Sequence, residues 1–203
     1  GEAVLVDVHG SGRVEDLIGM FVDLGDLATG TVESGALTLY GPLNDLDGTA
    51  HLDLGPTTLA GERFETGRAD GRLHGGTFTL DRIDVRRGVD EGLSLRGSVG
   101  RAWALDMEAR GELRLEHLSA VRDNAIPLTG RATALMQLGG TLFEPEPAGQ
   151  IRAWGVAFAD QPVPDSVVRA ENIDGFLTAR GRLLGDSVLA DLRLGLWEDQ
   201  PYD

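Results

Sequence analysis

Side chains that alternate in period two, segment after segment, limit what this chain can become more than any other feature. Trp103, Leu105 and Met107 fall on one side of an extended backbone, and Asp106 and Glu108 fall on the other. Leu113 and Leu115 alternate in the same way with Glu112, Arg114 and Glu116. Such a pattern makes a sheet with one apolar and one charged face. Residues 93–99, 103–109 and 112–118 are read as three successive strands. The rhythm returns over 138–195, where 150–154, 156–158, 166–172, 175–180 and 187–194 read as strands between turn residues. Glu144-Pro145-Glu146-Pro147 is read as a turn. About fourteen strands are expected in all.

The N-terminal part differs. Val4, Val6 and Val8 alternate over 3–8, and His9-Gly10-Ser11-Gly12 is expected to end that strand. The glycines are not a dinucleotide fingerprint, since the third Gly and the βαβ context are missing. Residues 14–24 carry the one helical stripe, with Val14, Leu17, Ile18, Phe21 and Leu24 at helical spacing. Glu15 and Asp16 suit its first turn, and Gly25 is placed to stop it. Its polar face lacks the basic residues of a membrane-surface helix, so packing over a sheet is expected. Asn44–Gly48 reads as an Asp-Gly turn; it lacks EF-hand spacing and the distal Glu. Gly75-Gly76 reads as a two-residue hairpin turn. Phe78 and Leu80 are out of phase with Ile83 and Val85, which predicts a bulge near Asp81-Arg82. Residues 119–130 break the pattern.

The second half echoes the first. Residues 39–54 align with 138–153, and ADGRL at 69–73 with IDGFL at 173–177, an offset of about 100 residues. The expected division is a strand plus amphipathic helix at 1–28, ending a preceding repeat or linker, a first repeat at 29–122, and a second at 123–203.

Charge and composition narrow the function. The net charge is −15, and all 18 basic residues are Arg. Residues 1–55 hold ten acids and one Arg, 56–122 eleven of each, and the remainder twelve acids and six Arg. No basic stripe exists for a nucleic-acid backbone, so no nucleic-acid partner is expected, and an anionic membrane surface would repel so acidic an exterior. There is no Cys, and hence no disulfide framework or Cys-based zinc site. His9, His51, His74 and His117 have no metal-ligand spacing. Ser11, Ser34 and Ser119 have no nucleophile-elbow context. No catalytic residue, metal or cofactor is assigned, and the chain is not read as an enzyme. No run is apolar enough for a membrane span. The two ends, at Gly1 and Asp203, read as cuts within a longer protein.

The phrase GTLFEPEPAGQIRAWGVAF at 140–158, followed by VRAENIDGFLTARGRLL at 168–184, resembles the β-repeats of TamB/AsmA-like envelope proteins. The opening DVHGSGRVEDLIGMFVDLGDLATGTV, at 7–32, fits the same likeness. The resemblance implies an elongated, curled antiparallel sheet, the β-taco or repeating β-groove, with an apolar concave face and one short amphipathic helix. It further implies phospholipid transport between inner and outer membranes, a part in outer-membrane biogenesis, and a periplasmic location. The tether to the inner membrane would lie outside this fragment. The implied partners are phospholipid acyl chains, flanking repeats of the same chain, and an outer-membrane barrel protein reached through another part of the full-length chain.

On that reading the groove is lined by Leu37, Leu39, Leu52, Leu54, Phe78, Leu80, Leu93, Leu95, Trp103, Leu105, Met107, Leu113, Leu115, Ile151, Phe158, Phe176, Leu192 and Leu194, with Val4 and Val6 beside them. Taken singly, each also fits an ordinary core. The alternative is a structural or adhesin-like β-repeat domain with a closed core and no lipid.

Overall fold

The computed structural model describes residues 3–19, 28–42, 45–59, 61–173, 176–183 and 188–195. The fold is all-β and antiparallel. The strands are β1 (Ala3–Arg13), β2 (Ala28–Pro42), β3 (Asp47–Leu59), β4 (Glu62–Phe64), β5 (Thr66–His74), β6 (Thr77–Arg87), β7 (Glu91–Val99), β8 (Leu105–Arg114), β9 (Leu128–Gly140), β10 (Pro145–Phe158), β11 (Gln161–Val163), β12 (Ser166–Ile173), β13 (Phe176–Leu183) and β14 (Val188–Gly195). Two short helices accompany them, α1 (Val14–Gly19) and α2 (Ser119–Asp123). Contacts divide the chain into two compact units, Gly1–Met107 and Glu108–Asp203.

Within each unit the strands form a curled antiparallel sheet that does not close. Sheet order follows chain order, β1-β2-β3-β5-β6-β7 in the first unit and β9-β10-β12-β13-β14 in the second. The three-residue strands β4 and β11 fold back onto β3 and β10.

The two units repeat one plan. The pair Leu39↔Gly48 of β2–β3 answers to Leu138↔Pro147 of β9–β10, and His51↔Asp70 of β3–β5 answers to Gln150↔Arg169 of β10–β12. Thr57↔Phe64 answers likewise to Val156↔Val163. From β3 through β5 each position finds its counterpart 99 residues on. The echo of 39–54 in 138–153 therefore falls on equivalent strands. The second alignment does not: residues 69–73 belong to β5, whose counterpart is β12, whereas 173–177 runs from the end of β12 into β13.

Several strand ends differ from those read in the sequence, and glycine is the common cause. His9-Gly10-Ser11-Gly12 does not end β1; Gly10 pairs with Gly35, and a register shift between Gly10 and Gly12 lets the ladder continue to Arg13. Gly111 is not a turn, since β8 runs through it. Gly155, at φ 57°, is a bulge inside β10. The turn before β10 is Thr141–Glu144, closed by reciprocal backbone hydrogen bonds of 3.0 and 3.2 Å. Pro145 and Pro147 already pair with β9, and β12 joins the other side of β10 only from Ala148 onward. Their missing N–H groups thus cost no ladder bond. The expected shift near Asp81-Arg82 lies between Leu80 and Ile83. Residues 119–130 contain the short α2, which buries Val121. Of the expected helix at 14–24, α1 accounts for Val14–Gly19; Phe21, Leu24 and Gly25 lie outside the described residues.

Each unit carries the same clamp beside its helix or turn. The Gly30 N–H donates to Glu15 Oε2 at 3.0 Å, and the Gly130 N–H donates to Glu116 Oε2 at 3.1 Å. Backbone N–H groups, its own first and that of Gly30 second, hold the Glu15 carboxyl below its ordinary pKa, and Arg13 adds to this. A depressed carboxylate stabilises the fold above its unfolded-state pKa and loses that contribution as pH falls through the folded value. Gly30 has φ +155°, and a Cβ there would lie 2.7 Å from Thr57 Cα; at Gly130, φ +132°, it would lie 2.8 Å from Val156 Cα. Gly30→Ala is expected to cost roughly 3 kcal/mol in urea unfolding. Gly10→Ala, with nothing within 4 Å of the added Cβ, should change little. Equal losses for the two substitutions would contradict this account.

Candidate functional site

Cross-strand partners in a sheet share a face, so the register of the first unit assigns every side chain a side. Four rungs run from β1 to β7 on one face. Val6, Leu39, Gly48, Leu73, Phe78 and Val99 make the first, and Val8, Leu37, Ala50, Gly71, Leu80 and Gly97 the second. Gly10, Gly35, Leu52, Ala69, Ile83 and Leu95 make the third, and Gly12, Val32, Leu54, Gly67, Val85 and Leu93 the fourth. These rungs contain no polar side chain. Glycines make room for large neighbours: a Cβ on Gly71 would sit 2.6 Å from the Phe78 ring, and one on Gly35 2.8 Å from Leu52 Cδ2.

Burial along this face is graded. In the fourth rung Val32 and Val85 are 1 % exposed and Leu54 is 7 %. In the first rung Val6 is 38 % exposed and Phe78 37 %, and the second is mixed, with Val8 on the edge strand 51 % exposed and Leu80 8 %. The closed end is built by Val14 of α1 and by β4, which brings Phe64 opposite Thr57. Thr57 is buried and its hydroxyl donates to Gly55 O at 2.9 Å. Arg87 holds this end together. It donates to Arg63 O at 2.7 Å and Glu62 Oε2 at 3.0 Å, lies 3.8 Å from Glu91 Oε2, and sits 5.5 Å from the Phe64 ring centre.

Eight residues assigned to the lining thus share one face: Leu37, Leu39, Leu52, Leu54, Phe78, Leu80, Leu93 and Leu95. Leu105, Met107 and Leu113 alternate along β8 and are half-buried. Trp103 is a correction: it lies in a 3-10 turn, Arg101–Trp103, with Ala102 and Trp103 at φ 55° and 61°. A left-handed backbone breaks the alternation that the spacing of Trp103, Leu105 and Met107 implies. Leu115 is a second correction, for β8 ends at Arg114 and Leu115 begins another 3-10 turn. Ile151 shares a rung with Ala134 and Val168, while Phe158 ends β10, half exposed. Phe176, Leu192 and Leu194 belong to β13 and β14, and Val4 to β1, but their side chains lie outside the described residues. The lining read from sequence leaves out the largest fully buried side chains, Val32, Val85, Thr57 and Phe64, of which only Val85 had been placed on a strand face.

The opposite face of the first unit is a lattice of ion pairs. His51 Nδ1 meets Asp70, Arg68 Nε donates to Asp70 Oδ2 at 3.2 Å, and His51 Nε2 lies 3.7 Å from Asp53. The hydrogen bond from His51, then the nearby Arg68, holds the Asp70 carboxyl below its ordinary pKa. Ser34 Oγ donates to Asp53 at 2.7 Å, which directs its proton to a carboxylate and away from the imidazole. Among the described residues no group of three or more His, Cys, Asp or Glu is arranged to hold a metal. No described helix is long and apolar enough to cross a membrane. Comparison with protein-family models, curated proteins and solved structures finds no match.

Proposed function

We propose that the apolar face is a groove that shields phospholipid acyl chains in transit between inner and outer membranes, as the TamB/AsmA-like resemblance implies. One observation carries the reading: a face of purely apolar rungs that stays partly exposed over much of its extent. An exposed methylene costs about 0.8 kcal/mol in water. A surface of Leu, Val, Ile and Phe side chains removes that cost along a whole chain without gripping a head group. The protein then works in the periplasm, with flanking repeats extending the track and an outer-membrane barrel receiving the lipid through another part of the full-length chain.

Photo-crosslinkers at Leu39, Leu52 and Leu95 are expected to capture phospholipid in cells, and those at Thr38, Asp53 and Arg96 are not. Capture at all three apolar positions means a track across the strands. Equal capture on both faces overturns the reading. Absence of capture, with lipid-free protein after gentle purification, favours the structural β-repeat alternative.

A further inference from the structure

The first unit leaves one long strand edge open. β1 ends its sheet order, so among the described residues no strand pairs with the side of β1 that faces away from β2. Its 11 residues, Ala3–Arg13, include no Lys or Pro, the residues that commonly guard an edge. The strand is regular throughout, because at the register shift between Gly10 and Gly12 the extra residue belongs to β2. Every side chain from Leu5 to Arg13 is exposed, Leu5 by 74 %. An edge of this kind takes up a further strand through its unpaired N–H and C=O groups.

The edge is complementary to itself. Paired strands keep their faces only where even positions meet even and odd meet odd, since a slip of one residue turns every side chain over. Two antiparallel copies of β1 that pair over their whole length place Val8 opposite Val8, Val6 opposite Gly10, and Asp7 opposite His9. A slip of two residues either way sets Asp7 against Asp7 or His9 against His9, and leaves the end of each strand unpaired. Opposite charges across a strand pair stabilise it, and like charges oppose it. On β2 the neighbours of Asp7 and His9 are Thr38 and Ala36, so neither meets an opposite charge on that side. Along β1 they lie 3.2 Å apart, and their side chains are 56 % and 70 % exposed. His9 Nε2 and the Thr38 hydroxyl both meet Asp7 Oδ1; among the described residues Oδ2 has no partner.

We infer that β1 is a docking edge for a second copy of this chain, which adds its own β1 antiparallel about a two-fold axis through Val8. Such a contact is isologous and closes at two copies. Each Asp7 carboxylate accepts from the imidazole of His9 on the other copy, twice in the dimer. The rungs of Val6 and Val8 run on across the seam, so the apolar face of one copy continues into that of the other. One strand from each copy makes a seam far smaller than the roughly 1,600 Å² of a standard interface, so the dimer is reversible and depends on concentration. The net charge of −15 opposes association, and screening over about 8 Å at 0.15 M salt limits that repulsion. None of this depends on what the apolar face binds.

The test is sedimentation velocity of the full 203-residue chain over a concentration series at 0.15 M salt. A reversible monomer–dimer equilibrium is expected, with no larger species. His9→Asp sets a carboxylate against Asp7 at both ends of the seam and should weaken the dimer roughly tenfold or more, with Tm unchanged. The double change Asp7→Arg with His9→Asp exchanges the two charges and should restore it. Register is read separately by cysteine. The chain has no Cys, so one introduced thiol reports on one position. Val8→Cys should give a disulfide-linked dimer under mild oxidation, because the two-fold axis brings its two Cα atoms within the ~7 Å that the bond requires. Leu5→Cys should not, since the two thiols lie six residues apart along the ladder, roughly 20 Å. Four results overturn the inference: a monomer at every concentration, open-ended growth beyond the dimer, a His9→Asp protein that dimerises as the parent does, or cross-linking through Leu5→Cys as readily as through Val8→Cys.

Discussion

Arg87→Ala should destabilise the protein by about 3–5 kcal/mol, because it leaves a carboxylate buried without its cation. Glu91 is only 6 % exposed, and the Glu62 side chain is 18 % exposed. Both face the Arg87 guanidinium, which also ties the β4 backbone through Arg63 O. Phe64 loses the cation beside its ring in the same substitution. Arg86→Ala, one residue earlier and on the solvent side, should stay within about 0.5 kcal/mol. The measurement is equilibrium unfolding of both variants in urea. A loss at Arg87 no larger than that at Arg86 would show that the closed end does not depend on the ion pair.

The second large effect separates the two ends of the apolar face. Leu54→Arg puts a long cation at a position that is 7 % exposed, between Gly67 and Val32, with no acid in its rung. A charge buried there without a partner should cost several kcal/mol, and the variant is expected to be unfolded at room temperature. Leu39→Arg lies in the rung of Val6 and Phe78, where the side chain can reach water. Its far-ultraviolet circular dichroism and Tm should stay close to those of the parent, while lipid capture in the groove is lost. If Leu39→Arg unfolds the protein as Leu54→Arg does, the face is a closed core along its whole length.

Much of the fold was legible because period two is a local signal. The slip of phase between Leu80 and Ile83 could be read from four apolar side chains, and the bulge sits between them. Strand ends were harder, since a glycine reads as a break whether it turns the chain or takes a neighbour's side chain. Gly71 lies under Phe78 in mid-strand, whereas Gly75 and Gly76 do make a turn with positive φ. Eight lining residues came together because alternation fixes a face and the register then aligns the strands. Trp103 escaped because a left-handed turn leaves no mark on spacing. Phe64 escaped because a strand of three residues has no period to detect. Charge was harder to read than apolar faces: counting it along the chain averages the two sides of the sheet, and only the register separates them.

The constant displacement of 99 residues through β3, β4 and β5 also bears on descent. Leu54 has become Ala153, Gly71 has become Ala170, and Asp70 has become Arg169. Substitution between the two copies has been free in size and in charge, but no residue has been gained or lost across this span. A single insertion would turn every following side chain to the other face. Deletions and insertions are therefore filtered far more severely here than exchanges, and where the copies do differ in length within a strand, as between Val32 and Ser34 of β2, a bulge takes up the extra residue.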